Sequence, residues 1–139
     1  MRPSRYRLAQ AAYALHTALE AHVHDTLEEL NLTVPLADAL WQLDPAHGPV
    51  SRRALAERLR CDPSNVTYLI DRLQQRRLVN RSRADDRRVT ALALTPAGIE
   101  ARDRLITTIA GSPLFRELTS AEQRQLADLL QRCAASRAP

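Results

Sequence analysis

The sequence predicts a mainly α chain: about six helices, with one β-hairpin inserted after the fourth. Three observations predict it. Apolar residues recur at helical spacing in several separate stretches, the mark of amphipathic helices. A capping residue followed by proline stands at Asp62-Pro63 and again at Thr95-Pro96, where the missing N–H of proline costs little. Between Val79 and Thr95 the period falls to two, with Thr90, Leu92 and Leu94 on one face and Ala91 and Ala93 on the other.

Each element has its own reason. From Ser4 to about Leu30 no Pro or Gly interrupts, and Leu8, Ala12, Leu15, Leu19, Val23 and Leu27 form one apolar stripe on a long first helix. Thr33 offers an N-cap to a second helix, which takes Pro35 early and turns Leu36, Ala39, Leu40 and Leu43 inward. Asp44-Pro45-Ala46-His47-Gly48-Pro49 is the clearest break, because two Pro and one Gly in six residues cannot continue a helix. Ser51 caps a third helix, with Leu55 and Leu59 facing in. The fourth opens at Asp62-Pro63, buries Val66, Leu69, Ile70 and Leu73, and runs to about Arg76. The hairpin turn falls near Arg83 to Asp86. A fifth helix passes Leu105 and Ile109 and ends near Gly111-Ser112-Pro113. The sixth starts at Thr119, where Thr119 and Glu122 form a capping box, and runs to about Cys133.

Charge is concentrated in one segment. Between Ser51 and Thr95 there are eleven Arg against five acidic residues, while the remainder holds nine Arg against eleven. The net +4 of the whole chain hides this split. A confined basic patch is the footprint of a polyanion partner. All the basic residues are Arg, as a GC-rich coding genome produces, and the planar guanidinium fork suits phosphate and guanine. Phe, Trp and Tyr make up 4% of the chain, so the core must rest on Leu, Ala, Val and Ile.

Several classes are excluded. The chain has no HExxH, no phosphate-cradling glycine loop and no nucleophile elbow, so it is not expected to be an enzyme. No apolar run is long enough for a secretory signal or a membrane span. Cys61 and Cys133 stand too far apart to make a disulfide framework, and a cytoplasmic chain with free thiols is expected.

The segment Ser51 to Gly98 therefore reads as a short helix, a tight connection, a second helix and an arginine-loaded hairpin. A second helix of this kind can lie in the major groove of DNA, and a basic hairpin can reach the minor groove. Ser64, Asn65, Thr67 and Tyr68 are the polar residues in the first two turns of that helix, and are the candidates for base contact. Arg52, Arg53, Arg72, Arg76 and Arg77 are the candidates for phosphate contact, which supplies affinity and register without sequence information. Asp85, Asp86, Arg87 and Arg88 stand at the hairpin tip.

V-T-Y-L-I-D-R-L-Q-Q-R-R-L-V, then D-D-R-R, then L-A-L-T-P-A-G, resembles the MarR family of winged helix-turn-helix transcription regulators. The resemblance covers Thr33 to Gly98, and helix order extends it along the chain. It implies a single domain over 1–139: dimerisation helices at 1–32 and 97–139, and a winged helix-turn-helix DNA-binding lobe at 33–96. It implies a ligand-responsive repressor, acting as a homodimer on a pseudo-palindromic operator of double-stranded DNA. In that frame Arg87 is the wing arginine in the minor groove, with Arg88 beside it, and Asp86 holds the tip by pairing with an Arg. Tyr13, His16 and Trp41 become the pocket for a small effector, aromatic or phenolic, and no cofactor is implied. Two departures stand out. Arg77 occupies a position where the family usually has Gly, so it must turn left-handed or the helix must end differently. Tyr68 stands where many members carry Arg, so base preference does not transfer there.

Three alternatives stay open on the residues. Cys61, just ahead of a helix start, would serve a redox sensor. His16, Glu20 and His24, at i, i+4 and i+8, would serve a metal sensor, although a hydrated polar face accounts for them and no metal site is expected. A non-specific architectural DNA-binding protein would use the same basic patch. Cys133 reads as a small apolar residue in the dimerisation region.

Overall fold

The computed structural model describes residues 2–83 and 90–136. Among these residues the chain forms six α-helices, two single 3-10 turns and a three-stranded antiparallel sheet. In order they are α1 (Arg2–Glu29), α2 (Val34–Gln42), a 3-10 turn (Pro45–His47), β1 (Val50–Ser51), α3 (Arg52–Leu59), α4 (Pro63–Gln75), β2 (Val79–Arg83), β3 (Thr90–Leu94), α5 (Pro96–Ala110), a second 3-10 turn (Pro113–Phe115) and α6 (Ser120–Ala135). The chain divides into two compact units. One runs from Val23 to Thr108; the other holds α1 as far as His22 together with the chain from Ile109 onward. No helix among the described residues is long and apolar enough to cross a membrane.

The larger unit contains the core. Leu36, Ala39 and Leu40 from α2, Leu43 just after it, Leu55 from α3, and Val66, Leu69, Ile70 and Leu73 from α4 are all buried, as the helical spacing predicts. Val23 and Leu27 of α1 and Ala101 and Leu105 of α5 join them. Burying one such large apolar side chain contributes about 1.5–3 kcal/mol, so this cluster is the main source of the unit's stability.

The smaller unit is different. Helix α6 has no buried residue, and Leu129 and Leu130 are 46% and 47% exposed. On α1 the predicted stripe fades toward the N-terminus: Leu27 is buried, Leu15 and Leu19 are half-buried, and Leu8 and Ala12 are exposed. These helices hold their shape locally. The capping box of α6 is complete: Thr119 Oγ1 accepts from Glu122 N at 3.3 Å, and Thr119 N donates to the Glu122 carboxylate at 2.8 Å.

Helix starts follow the sequence with one exception. Ser51 Oγ accepts from Ala54 N at 3.1 Å, and Thr33 Oγ1 accepts from Leu36 N at 3.5 Å. Asp62 has the extended backbone of an N-cap, but its side chain makes no capping bond. The amide of Asn65, which such a cap would accept from, donates to the Asp62 backbone carbonyl at 3.0 Å instead.

The ends of α1, α3 and α4 share one device that composition concealed. Asn31, Arg60 and Arg77 all take the left-handed conformation, with φ of 54°, 54° and 59°. Each is followed by a residue whose N–H reaches back to the last turn: Leu32 to Leu27 O, Cys61 to Ala56 O and Leu78 to Leu73 O. This is the Schellman closure that glycine usually serves. Arg77 therefore adopts the left-handed geometry expected of it, at the ordinary steric cost of a Cβ there.

The hairpin is part of a larger sheet than the sequence predicts. Strand order is β1-β3-β2, with Val50 paired to Leu92 on one side of β3 and Arg81 on the other. Two residues are too short to show a period, so β1 gave no signal; its Val50 is nonetheless buried against the core. Because β3 is the central strand, Ala91 and Leu92 are both buried, and only small side chains fit its second face. The break at Asp44 to Pro49 likewise holds one 3-10 turn, opened by Asp44 accepting from Ala46 N at 2.9 Å.

Candidate nucleic-acid interface

Helix α4 carries two faces. Its four buried apolar residues anchor it on α2 and α3, and the same period turns Ser64, Asn65, Tyr68 and Arg72 to solvent. The connection from α3 is short because Arg60 turns the chain within one residue. The result is a rigid helix whose exposed N-terminal turns are polar.

The exposed residues differ in what they have left to offer. Ser64 and Asn65 are exposed at the open end of the helix. Thr67 is half-buried, and its hydroxyl donates to Pro63 O at 3.0 Å. Its only proton is used inside the helix, so it retains a methyl group and acceptor capacity. Tyr68 is 55% exposed, and its hydroxyl accepts from Arg72 Nε at 3.2 Å. The Arg72 guanidinium carbon lies 5.4 Å from the Tyr68 ring centroid, within cation–π range.

The candidate phosphate ligands also separate. Arg53, Arg72 and Arg77 are exposed, and Arg53 pairs along its own helix with Glu57 at 3.3 Å. Arg52 and Arg76 are half-buried. Arg76 Nη1 is buried with no hydrogen-bond partner among the described residues. Asp85, Asp86, Arg87 and Arg88 lie outside the described residues. The strands leading to them are in antiparallel register as far as the pairing of Arg83 with Thr90.

Sequence reasoning missed the ties that position this helix and hairpin. Asp71 on α4 forms a salt bridge with Arg81 on β2 at 2.5 Å, joining the reading helix to the hairpin. Thr95 joins the hairpin's exit to the end of α4: its N–H donates to Leu78 O at 3.0 Å and its hydroxyl to Arg77 O at 2.6 Å. The same hydroxyl accepts from Gly98 N at 3.0 Å, so Thr95 also opens α5.

At the end of α2 two arginines meet orphan carbonyls. Arg58 donates to Gln42 O at 2.9 Å, and Arg102 Nε donates to Trp41 O at 3.3 Å. Arg102 also pairs with Asp44 at 3.2 Å, and its guanidinium carbon lies 5.9 Å from the Trp41 ring centroid. The hydrogen bond from Ala46 N, then the charges of Arg102 and His47, hold the Asp44 carboxyl below the usual carboxylate range. Trp41, Gln42, Asp44, His47, Arg58 and Arg102 line a cavity of about 290 Å³.

Of the remaining candidates, Tyr13 and His16 lie in the smaller unit with ring centroids 6.4 Å apart, and Trp41 lies in the larger. His16 pairs with Glu20 at 3.4 Å, and His24 with Glu28 at 3.2 Å. His24, Asp25 and Glu28 are close enough to share an ion, but all three are exposed, and exposed acidic groups on a hydrated helix face commonly gather without one. Cys61 is half-buried and packs against the core, whereas Cys133 is exposed on α6.

Comparison with known proteins gives this geometry a context. The MarR family model matches residues 32–90. The HTH-type transcriptional repressor MdtR of Bacillus subtilis is 34% identical over 86 residues, a match that covers 61% of this chain and 55% of that protein. The chain thus spans about half the length of that curated relative. A MarR family protein from Bacillus stearothermophilus superposes with a TM-score of 0.81 over 98% of this chain and 96% of its own; at 19% identity the likeness is one of fold. The PcaV transcriptional regulator of Streptomyces coelicolor, solved in complex with its natural ligand, is 27% identical with a TM-score of 0.70, covering 94% and 93% of the two chains.

Proposed function

We propose that this chain is a MarR-type winged helix-turn-helix transcription regulator, on the MarR model matched over residues 32–90, and that it is a sequence-specific DNA-binding repressor, acting as a homodimer on a pseudo-palindromic operator and responding to a small effector. One observation carries the reading most directly. The exposed face of α4 presents Ser64, Asn65, Tyr68 and Arg72 from a helix locked in the core by Val66, Leu69, Ile70 and Leu73. A helix held rigidly by its back is what direct readout needs, because each base contact is worth little unless its geometry is preset.

Roles follow from chemistry. Asn65 can pair with the edge of adenine, and the Thr67 methyl can meet that of thymine. Arg53, exposed on the first turn of α3, and Arg77, exposed just after α4, supply the salt-dependent grip on phosphates, with Arg52 and Arg76 beside them in sequence. Arg87 and Arg88 of the hairpin tip extend the grip to the minor groove, with Asp86 as their brace. The dimer reading is supported by α6, whose apolar residues Leu129 and Leu130 are left exposed in the single chain. Effector response is supported by the PcaV relative, which holds a ligand, and by the Trp41-lined cavity in the larger unit. An aromatic or phenolic compound is the class we propose. The site of action is the cytoplasm, where the operator is.

Selection of bound sequences from a random DNA pool tests the reading. Inverted repeats with half-site centres about 10 bp apart are expected. Light scattering on the same preparation should give twice the 15.6 kDa of one chain. Enrichment of no sequence over the pool would overturn operator recognition, and a stable monomer would overturn the dimer.

A further inference from the structure

We propose that Arg72 is a base-reading residue, and that Tyr68 is the positioning residue that aims it. The inference rests on the DNA-binding reading above and adds a specificity determinant to it. Position alone argues against Arg72 as a reader. It lies in the last third of α4, which runs from Pro63 to Gln75, and the first turns are the ones that meet base edges. On position it would be one more phosphate ligand.

Its side chain changes that. Helical side chains lean toward the N-terminus of their own helix, so the head group of a long residue covers the turn before its own Cα. Arg72 does this and is held there. Nε donates to the Tyr68 hydroxyl at 3.2 Å, and the guanidinium carbon lies 5.4 Å from the ring centroid. The charged head is thereby held against Tyr68, the residue one turn ahead of Arg72 on the way to the exposed N-terminal turn of α4.

The manner of holding leaves the useful atoms free. The contact with Tyr68 uses Nε. The paired Nη1 and Nη2 edges have no partner among the described residues, and together they form the fork that matches O6 and N7 of guanine. The adjacent acid does not compete, because Asp71 is engaged with Arg81. A free arginine would lose the entropy of its rotamers on meeting a base; one already tied at Nε and stacked on a ring loses less. Tyr68 gains in turn: its hydroxyl accepts from Arg72 and keeps its own proton to donate.

The test is sequence selection with the full-length protein and its R72K, Y68F and Y68L variants. Lysine at 72 keeps the charge and any single phosphate contact but loses the fork. The parent should select guanine at one position of each half-site. R72K should lose that preference by about tenfold or more while other positions are unchanged. Y68L should weaken the same position, Y68F less so since it keeps the ring, and Y68L in the R72K background should add nothing there. R72K selecting the parental site, with guanine preference intact and affinity within about threefold, would overturn the proposal and leave Arg72 a phosphate ligand. Loss of affinity spread evenly over all positions in Y68L would overturn the positioning role. A parent that selects no sequence at all would remove the DNA-binding reading itself, which is a distinguishable result.

Discussion

Gly98 has no room for a side chain because the carbonyl of Leu78 stands where its Cβ would be. A Cβ built at 98 comes within 2.0 Å of Leu78 O and 3.0 Å of its carbonyl carbon. The same oxygen accepts from Thr95 N at 3.0 Å, so it cannot swing away without breaking the tie between the sheet exit and the end of α4. The glycine of L-T-P-A-G is thus a packing requirement: α5 starts in contact with the chain that leaves the reading helix.

Gly98→Ala is accordingly expected to destabilise, although alanine is the better helix former by about 1 kcal/mol. The clash is with backbone, and overpacking of this kind costs about 1–3 kcal/mol before relaxation. Urea unfolding should show a lower midpoint with an unchanged slope. A midpoint equal to or above the parent's would mean that Leu78 yields freely, and that the close approach is not what the glycine serves.

The left-handed arginines make the opposite prediction. A Cβ in this conformation costs about 1–2 kcal/mol, and glycine returns about 0.5–1 kcal/mol of that as extra freedom in the unfolded chain. Arg60→Gly should therefore stabilise by about 0.5–1 kcal/mol, as should Arg77→Gly. Under the phosphate-contact reading the two then diverge. Arg60→Gly leaves the candidate contacts intact, whereas Arg77→Gly should bind DNA more weakly and with a shallower salt slope. Thermal unfolding and salt titration of both variants separate the effects; a destabilised Arg60→Gly would refute the strain argument.

What the sequence made legible, and what it hid, divides along the range of the interaction. The back of α4 was readable because Val66, Leu69, Ile70 and Leu73 repeat with the helix itself. The α6 capping box was readable because Thr119 and Glu122 are three residues apart. Asp71 with Arg81, Arg58 with Gln42, and Arg102 with Asp44 were not, because each joins two elements whose register only the fold sets. Strand β1 was too short to carry a period, and Asp62 showed the cap pattern without making the bond. The candidate base contacts follow from position on α4; that Thr67 donates within its own helix and Tyr68 holds Arg72 depends on side-chain torsions, which spacing does not encode.

Asp44 sets an acid limit on the larger unit. Its carboxyl is held below the usual range by Ala46 N–H, then by Arg102 and His47, so its folded pKa lies below its unfolded value. The stability it contributes is then fully present above the unfolded value, near about 3.9, and is lost as pH falls through the folded one. Asp44→Asn keeps an oxygen for Ala46 N but cannot pair with Arg102. The variant should be less stable than the parent at neutral pH, and the difference should shrink below about pH 4. Urea midpoints at pH 7 and at pH 3 measure it; a gap that stays constant between the two would rule out the ionised carboxylate as its source.

The reading helix and the hairpin tip should fail in different ways. Asn65 is exposed and uncharged, and is proposed to touch a base edge. Arg87 is charged, and is proposed to enter the minor groove, where readout is degenerate. Asn65→Ala should leave the dependence of affinity on salt unchanged, because no counterion is released in its place. It should relax preference at one or two base pairs per half-site, by about 1–3 kcal/mol each. Arg87→Ala should weaken binding across all sequences and reduce the salt slope by about one unit per lobe, since each neutralised phosphate contributes about 0.9. Both folds should survive, so circular dichroism spectra should match the parent's. Salt titrations on the selected operator and on one half-site variant decide the matter. If Arg87→Ala bound with the parental slope, the hairpin would not be a DNA-contacting wing; if Asn65→Ala changed the slope and not the preference, that turn of α4 would be gripping the backbone instead of reading bases.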